Sequence, residues 1–328
     1  MKKIACVGYN ATGAGVIDDL FREFDNVSQG FYEAECRVLQ DGDGVSDLEY
    51  HLVENPHRLK IGLAIERFLR YAKDNRREYE KTFGDQWLQM CQDYIDSLIK
   101  FRFKGYYTRW LLTRSDKYKY LLLLKKVANR LRPKRYRHPT WWNYFPNETA
   151  YHALPTKEEF LEKTQVYFEG LCQLMNQDNK EFVVIDQMVP GNYTERYLRY
   201  VKDAKIIVVD RDPRDLYIHE FVVNDHALPR EPQLFCVHYR DIRVPKGVEE
   251  SSVVLRIRFE DMIYHYDETV KKVLDFVSIS PSHHISPRTH FIPEKSMKNT
   301  QMWKTRPEFV EAVKIIEKEL PEYLYPFE

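Results

Sequence analysis

The residues best suited to bind an anion lie in the segment Arg211-Asp212-Pro213-Arg214-Asp215. This segment follows the apolar run from Ile206 to Val209, so a strand would deliver Arg211 at its carboxyl end, where open parallel sheets bind their ligands. A guanidinium offers a planar fork of N–H donors that matches a phosphate group. Asp212 is suited to cap the following helix, and Pro213 to occupy its first position. The same pattern also fits a structural salt bridge, and residue types alone leave both interpretations open.

A second candidate anion site is the loop from Gly8 to Gly15. It follows the apolar run from Ile4 to Gly8 and precedes apolar residues at helical spacing. Such a strand, turn and helix present several backbone N–H groups together, usually to a phosphate. The loop matches neither the pattern Gly-x-Gly-x-x-Gly nor the nucleotide triphosphatase pattern Gly-x-x-x-x-Gly-Lys-Ser/Thr. Gly13 lies five residues after Gly8, but Ala14 follows it where the second pattern requires a lysine. The alternative is a tight turn with no ligand.

The strands and helices that would position these residues are predicted from short β-branched runs that alternate with helical segments. The predicted strands are 182–185, 205–209 and 253–257, and the helical segments between and after them are 193–201, 213–223 and 260–277. Each strand is almost continuously apolar, which predicts a parallel sheet covered by helices on both faces. A further strand is predicted from Phe31 to Leu39, and a helix from Lys157 to Met175, where Thr156 and Glu159 have capping-box spacing.

The chain is expected to form one domain over residues 1–328, with a helical, basic insertion at about 57–178. Its 50 basic and 50 acidic residues cancel, yet fourteen Lys or Arg and one acid, Asp116, lie between Lys100 and His138. Something anionic is therefore expected to meet this stretch.

The remaining composition is that of a soluble protein, with 43% hydrophobic residues. The apolar run after Lys2 and Lys3 is too short for a signal peptide. Five scattered cysteines without a Cys-x-x-Cys pair indicate neither a disulfide framework nor a zinc site, and favour the cytoplasm. His283, His284 and His290 lack a familiar metal-ligand spacing, so no metal site is predicted.

Several segments together resemble the sulfotransferases that use 3′-phosphoadenosine 5′-phosphosulfate (PAPS), in particular bacterial carbohydrate-type members. The similarity covers roughly residues 1–50 and 180–328 and leaves the insertion unexplained. The matching segments are Val208 to Tyr217, Gly8 to Asp19, Ala34 to Arg37, Asp186-Gln187, Arg258 to Ile263 and Lys298 to Lys304. The resemblance implies a P-loop-like, three-layer α/β domain with a central parallel sheet. It also implies PAPS as the sulfuryl donor, with no metal.

The resemblance further implies three groups of donor-binding residues. The loop would hold the 5′-phosphosulfate, Arg211 and His219 the 3′-phosphate, and the late segment would close over the adenosine. These residues are Asn10, Ala11, Thr12, Gly13, Ala14, Gly15, Arg211, His219, Lys298, Asn299, Thr300, Trp303 and Lys304. The chain departs from the family twice. Ala11 stands where a lysine is usual, so Arg37 or a basic residue of the insertion must supply that cation, and His219 stands where a serine is common.

An acceptor hydroxyl must lose a proton as it attacks, so a general base is required. Glu35 is the first choice, because carbohydrate-acting family members place a glutamate on the second strand. Arg37 is the other predicted catalytic residue, as a candidate for the missing cation. The alternative for Glu35 is a surface ion pair with Arg37, and the alternative bases are His138 and His152. The acceptor site is expected to include His138, Trp141, Trp142 and Tyr144.

The basic insertion allows three interpretations. It could be a helical lid with Leu121 to Leu124 in its core, a groove in which aromatic residues stack on a polysaccharide, or a patch that contacts anionic lipid at the inner membrane surface. No nucleic-acid-binding module is recognised, so no nucleic-acid partner is predicted.

The predicted activity is sulfuryl transfer from PAPS to a hydroxyl of a carbohydrate or glycolipid. A sterol or another small hydroxylated lipid is the alternative acceptor. A nucleotide-binding relative without activity is the rival from another class, and a kinase is the rival among enzymes.

Overall fold

The computed structural model of the chain describes residues 1–28, 35–104, 116–137, 149–223, 227–243 and 251–327. Its strands are β1 (Lys2–Val7), β2 (Val27–Ser28), β3 (Phe101–Lys104), β4 (Thr149–His152), β5 (Phe182–Asp186), β6 (Ala204–Asp210) and β7 (Val254–Arg258). Its α-helices are α1 (Gly15–Phe21), α2 (Val45–Glu49), α3 (Arg58–Asp74), α4 (Arg76–Phe83), α5 (Gln86–Leu98), α6 (Asp116–Leu131), α7 (Lys157–Met175), α8 (Thr194–Leu198), α9 (Pro213–Val222), α10 (Pro232–Asp241), α11 (Phe259–Tyr264), α12 (Tyr266–Val277), α13 (Pro293–Ser296) and α14 (Val310–Glu319).

Tertiary contacts divide the chain into two compact units. The first unit consists of 1–40, 81–83 and 168–328, and the second consists of 41–80 and 84–167.

A parallel sheet forms the centre of the first unit. Its strands lie in the order β2-β5-β1-β6-β7, and every neighbouring pair is parallel. β1 pairs on one side with β5, where Cys6 lies opposite Asp186, and on the other with β6, where Val7 lies opposite Val208. The carboxyl ends of β1, β5 and β6 therefore share one edge. The predicted α/β class with a central parallel sheet is confirmed.

Apolar side chains from the strands pack against helices of the first unit. One core cluster joins β1, β6 and β7 to helices α1, α11 and α12, and includes the fully buried Ile17 and Met262. A separate cluster joins helices α9, α10 and α14. Burial of this kind contributes about 25 cal/mol per Å² of apolar surface, and it gives the loops at the strand ends a rigid support.

Two predicted elements are wrong in detail. Residues 35–37 have no regular structure and 38–40 form a turn, so the strand predicted over 31–39 does not extend through them; the short strand in this region is β2. The helix predicted over 260–277 is two helices that meet at His265, whose backbone is not helical. In both places the apolar pattern continues while the backbone conformation changes.

Aromatic packing organises the second unit. Tyr94 stacks on Tyr167 at 4.5 Å, Tyr79 stacks on Trp87 at 4.1 Å, and the Trp87 indole donates to the carbonyl of Ala72 at 2.8 Å. The antiparallel pair of β3 and β4 lies in the same unit. At the start of α7, Thr156 and Glu159 exchange hydrogen bonds of 2.8 and 3.2 Å, which confirms the predicted capping box.

The five cysteines are all buried and none forms a disulfide. Within the Leu121 to Leu124 run, Leu122 is buried and the other three are exposed. The interpretation of this run as core is therefore wrong for three of its four residues.

Candidate functional site

The loop between β1 and α1 is held in shape by the side chain of Thr12. Its hydroxyl donates to the carbonyl of Val209 on β6 at 2.8 Å and accepts from the N–H of Tyr9 at 3.1 Å. Thr12 is fully buried. The predicted role of this hydroxyl is to assist a phosphosulfate, but both its donor and an acceptor position are used here to fasten the loop to β6.

Gly13 occupies a position that no other residue type fits well. Its φ is +91°, and a Cβ built on it would lie 2.5 Å from the ring of Phe259. Asn10 and Ala11 also have positive φ, at 70° and 51°. Positive φ is unfavourable for a residue with a Cβ, so two of the six predicted loop residues, Asn10 and Ala11, hold a strained backbone.

Arg211 connects three of the predicted donor-binding segments. It follows β6 directly, one Nη donates to the carbonyl of Ala11 in the loop at 3.2 Å, and the other donates to the carbonyl of Asn299. The Arg211 side chain is 2% exposed and its Nε has no hydrogen-bond partner among the described residues. Burial, which disfavours charge, lowers the pKa of Arg211, while Asp215, Glu260 and Asp212 oppose that change.

Phe259 lies between the loop and the arginine. The Arg211 guanidinium is 5.1 Å from the centre of its ring, and the same ring fills the space beside Gly13. A cation over an aromatic face is attracted to it, by more when water is excluded. Phe259 therefore fixes the spacing between the loop and Arg211, a role that the sequence did not predict.

The carboxylates of the Arg211 segment hold backbone groups. Asp212 accepts from the N–H of Arg214 at 2.8 Å and so caps α9, as predicted, and it also accepts from the N–H of Tyr325. Asp215 accepts from the N–H groups of Gln301 and Met302 at 2.8 and 2.7 Å. Burial raises the pKa of Asp215 to about 7. Asp215 therefore anchors the late segment beside Arg211, and Asp212 anchors the chain at Tyr325.

His219 lies on α9, about two helical turns after Arg211 along the chain, and is half-buried. Burial and then the charge of Arg211 lower its pKa to about 4, so the imidazole is neutral at pH 7. Its Nδ1 is buried and lacks a hydrogen-bond partner in the described part of the chain. The structure thus brings His219 into the electrostatic reach of Arg211.

The late predicted residues divide into exposed and anchored ones. Lys298 and Lys304 are exposed. The Thr300 hydroxyl lies 2.6 Å from that of Tyr264. Trp303 packs on Arg214, whose guanidinium lies 3.9 Å from the centre of the Trp303 ring. Trp303 therefore already has a cationic partner on one side.

Glu35 and Arg37 form an ion pair of 3.1 Å, and both side chains are nearly half exposed. The N–H of Cys36, between them, donates to the carbonyl of Asp186 at the end of β5. This contact brings Glu35 to the carboxyl edge of the sheet, beside the strand that leads into the loop.

Asp186 is a titratable group that the sequence did not single out as catalytic. Its Oδ1 is buried and has no hydrogen-bond partner among the residues described. Burial, and then the negative charges of Glu35 and Asp18, raise its pKa to about 7. Burial likewise raises the pKa of Asp18, on α1, to about 6. The signal available in the sequence was a carboxylate directly after a buried strand.

Two further arginines surround the loop. Arg256 on β7 donates to the hydroxyl of Tyr9 at 2.7 Å, and Arg243 lies over the Tyr9 ring at 4.6 Å. Arg243 also pairs with Asp210 at 2.8 Å. Burial opposes ionisation of Asp210, but Arg243 outweighs it and keeps the pKa of Asp210 below its usual value. Asp210 is thus the charge partner of Arg243.

Four residues were predicted for the acceptor site, and all lie outside the described residues: His138, Trp141, Trp142 and Tyr144. His152 belongs to the second unit, where it stacks on Phe101 at 4.4 Å. His283 and His284 contact Asp25 and Glu23, each at 2.7 Å.

A cleft of about 720 Å³ lies elsewhere in the first unit. It is lined by Arg258, Asp261, His265 and the segment from Leu324 to Phe327, and none of the predicted donor-binding residues lines it. In the part of the chain that the structure describes, no group of three His, Cys, Asp or Glu side chains is arranged to hold a metal ion. Within those same residues, no helix combines the length and apolar character needed to cross a bilayer.

Comparison with known protein families finds no match, and comparison with curated proteins finds none either. Among solved structures, the chain is similar to the crystal structure of sulfotransferase STF9 from Mycobacterium avium. The two are 12% identical, the similarity covers 95% of this chain and 76% of that one, and the TM-score is 0.35. Similarity of this degree does not establish a shared activity, and the function must be argued from the residues of this chain.

Proposed function

We propose that the protein is a PAPS-dependent sulfotransferase that transfers a sulfuryl group to a hydroxyl of a carbohydrate or glycolipid. The observation that carries this proposal is the position of Arg211. One guanidinium, at the end of a central parallel strand, contacts both the loop at Ala11 and the late segment at Asn299. These are the three segments that the family resemblance assigns to donor binding.

The donor groups present suit a 3′-phosphate. Arg211 Nε and His219 Nδ1 are buried without hydrogen-bond partners among the described residues. An unsatisfied buried donor costs about 1–3 kcal/mol, and an anion that accepted from it would recover part of that cost. A neutral His219 has one N–H to donate, as the serine common at this position in the family would.

Binding requires a local exchange of partners at Arg211. The side chain is 2% exposed, so an incoming phosphate must replace one of the two carbonyls that the guanidinium now contacts. A bidentate bond between a guanidinium and a phosphate is stronger than one to a neutral carbonyl, so the exchange is favourable. The Asn299 carbonyl is the candidate to leave, because the segment that carries it is expected to close over the adenosine.

The loop would hold the phosphosulfate through backbone N–H groups of residues 12–15. PAPS supplies an activated sulfuryl group, whose transfer is accelerated mainly by positioning and by charge stabilisation. The missing loop lysine has three candidate replacements, which are Arg37, a basic residue of the insertion and Arg256. Arg256 has one contact that supports it, the hydrogen bond to Tyr9 within the loop.

Two carboxylates are candidates for the general base. Glu35 is the residue that the family resemblance implies, and it lies at the edge of the sheet, where it is paired with Arg37. Asp186 has an unpartnered buried oxygen at the same edge, and its pKa of about 7 suits a base near neutral pH. We favour Asp186 as the proton acceptor, with the charge of Glu35 helping to raise its pKa.

Calorimetric titration tests the proposal with two nucleotides, 3′-phosphoadenosine 5′-phosphate (PAP) and adenosine 5′-phosphate, which lacks the 3′-phosphate. The wild type is expected to prefer PAP. Arg211→Lys should reduce that preference about tenfold to a hundredfold, since a point charge replaces a bidentate fork. Arg240→Met, at an exposed arginine of α10, is the matched control and should preserve it.

Thermal unfolding by circular dichroism shows whether the buried substitution disturbs the fold. A folded Arg211→Lys variant with an unchanged preference for PAP would contradict the proposal. Heat with ATP and magnesium but none with PAP would favour the kinase instead. Tight PAP binding without transfer of radiolabelled sulfate to carbohydrate, glycolipid or sterol acceptors would identify the inactive nucleotide-binding relative.

A further inference from the structure

The helix α6 exposes its apolar side. Tyr120, Leu123, Leu124, Val127 and Leu131 recur at helical spacing and share one face. Their exposed fractions are 69%, 57%, 66%, 49% and 81%. In a helix of a water-soluble protein such a stripe normally faces the core, so its exposure requires an explanation.

The opposite side of α6 is the one that packs. Leu122 and Asn129, seven residues apart, are each 8% exposed. The helix thus has a packed side that includes a polar residue and an exposed side that is apolar. This reverses the usual arrangement, and the five exposed side chains are available to a partner.

Cations border the exposed stripe. Residues 116–137 contain nine Lys or Arg and one acid, Asp116. Lys119, Lys126 and Arg130 lie along one border of the stripe, and Lys117 lies along the other. An apolar stripe with basic borders is typical of helices that lie in the interface of an anionic membrane.

The chain after α6 adds to this charge. Arg137 donates to the carbonyls of Arg130 and Arg132 at 2.7 and 2.9 Å, so the segment turns back at the end of the helix. Arg132, Lys134 and Arg135 are exposed there. Their positive charge is therefore kept close to the helix.

We propose that α6 together with residues 132–137 is a docking surface for a bilayer that contains anionic phospholipid. The apolar stripe would enter the boundary between headgroups and acyl chains, while the bordering lysines and arginines extend to the phosphates. This inference goes beyond the proposed sulfotransferase activity and does not depend on it.

The charge pattern argues against two other occupants. In a symmetric dimer through this face, the cations that border the stripe would meet those of the second copy, and like charges repel. A nucleic acid would pair with the cations but would leave the apolar stripe against a polar backbone. A bilayer of anionic lipid satisfies both features at once.

Vesicle co-sedimentation of the full chain tests the proposal. Vesicles of phosphatidylcholine alone are compared with vesicles of equal parts phosphatidylcholine and phosphatidylglycerol, at low and high salt. Binding is expected only to the anionic vesicles, and it should weaken with salt. The variant Leu124→Glu/Val127→Glu should bind about tenfold more weakly or worse, because two acids would enter the interface.

Val166→Glu is the matched control, because Val166 is 69% exposed on α7 and lies outside the stripe. It should bind like the wild type, and PAP titration should be the same for all three proteins, which separates this inference from the proposed function. Equal binding of wild type and Leu124→Glu/Val127→Glu, or no binding to anionic vesicles, would overturn it. So would a dimer in light scattering that the double substitution dissociates.

Discussion

Asp186 and Glu35 illustrate how two neighbouring carboxyl groups acquire different properties. Glu35 lies beside Arg37 and is half exposed, whereas Asp186 has one oxygen buried without a partner in the described residues. Burial favours the protonated form of Asp186, and the charge of Glu35 adds to this effect. The environment, rather than the residue type, distinguishes the two carboxyl groups, and it is the reason that we propose Asp186 as the proton acceptor.

We predict that Asp186→Asn lowers kcat by about a hundredfold or more while PAP affinity stays unchanged, since only the proton acceptor is lost. Glu35→Gln should remain active. Removing its negative charge lowers the pKa of Asp186, so the acid limb of its kcat profile should move to lower pH. Sulfate transfer measured across pH, beside PAP titration, gives both results. Loss of transfer in Glu35→Gln with retention in Asp186→Asn would assign the base to Glu35.

Single residues were predictable where their signal is local. Arg211 follows an apolar run and precedes a cap and a proline, so its place at a strand end could be read from seven neighbouring residues. Its partner Asn299 lies 88 residues away along the chain. No local pattern reports that contact, and the burial of Arg211 that results from it was therefore not predictable.

Among the elements, the loop before α1 combines strained backbone with tight packing. Gly13 carries positive φ and contacts Phe259, whereas Gly15, two residues later at the start of the helix, has open space around it. The same substitution should therefore have different effects at these two positions.

Gly13→Ala should destabilise the protein by about 2 kcal/mol, because its Cβ meets the Phe259 ring and its φ disfavours a side chain. Gly15→Ala should be neutral or slightly stabilising, because alanine reduces the freedom of the unfolded chain. Urea unfolding of both variants measures the difference, and PAP titration should show weaker binding for Gly13→Ala alone. Equal unfolding midpoints would mean that the loop relaxes without cost.

Elements were predictable to the extent that their ends are encoded locally. The helix from Lys157 to Met175 has the predicted bounds, because Thr156 and Glu159 cap its start through their own side chains. The break at His265 has no glycine or proline to announce it. The exposure of Leu121, Leu123 and Leu124 was also not predictable, since periodicity locates an apolar face but does not say what covers it.

For the molecule as a whole, buried acids set the response of stability to pH. Asp18, with a pKa of about 6, and Asp186 and Asp215, with pKa values of about 7, remain protonated in the fold at a pH where the unfolded chain has lost those protons. These carboxyl groups contribute fully to the free energy of unfolding at a pH below their pKa in the unfolded chain. This contribution is lost as pH rises through their pKa in the folded protein. His219, whose pKa is lowered to about 4, acts in the opposite direction, but only up to the pKa of an unfolded histidine.

We therefore predict that the free energy of unfolding decreases by about 2 kcal/mol between pH 6 and pH 8, where Asp186 and Asp215 titrate and His219 offsets part of the loss near pH 6. Urea unfolding at a series of pH values measures this change. Asp186→Asn should reduce the slope, because an amide does not ionise. A midpoint that rises from pH 6 to pH 8 would show that these carboxyl groups are ionised in the native protein.

The α/β class was predictable because alternation of apolar runs and helical segments is visible along the chain. The strand order was not, since it depends on pairing between segments far apart. Lys2 pairs with Phe182 and Lys3 with Ala204, and β1 is the middle strand of the five.

That central position has a consequence for biosynthesis. β1 leaves the ribosome before its two neighbours in the sheet, β5 and β6, and must wait with both hydrogen-bonding edges open until they arrive beside it. During that interval, residues 41–167 have emerged in full, whereas the apolar side chains of β1 still lack their native neighbours. Nascent chains stalled before residue 204 should therefore depend on chaperones, and released fragments of that length should aggregate.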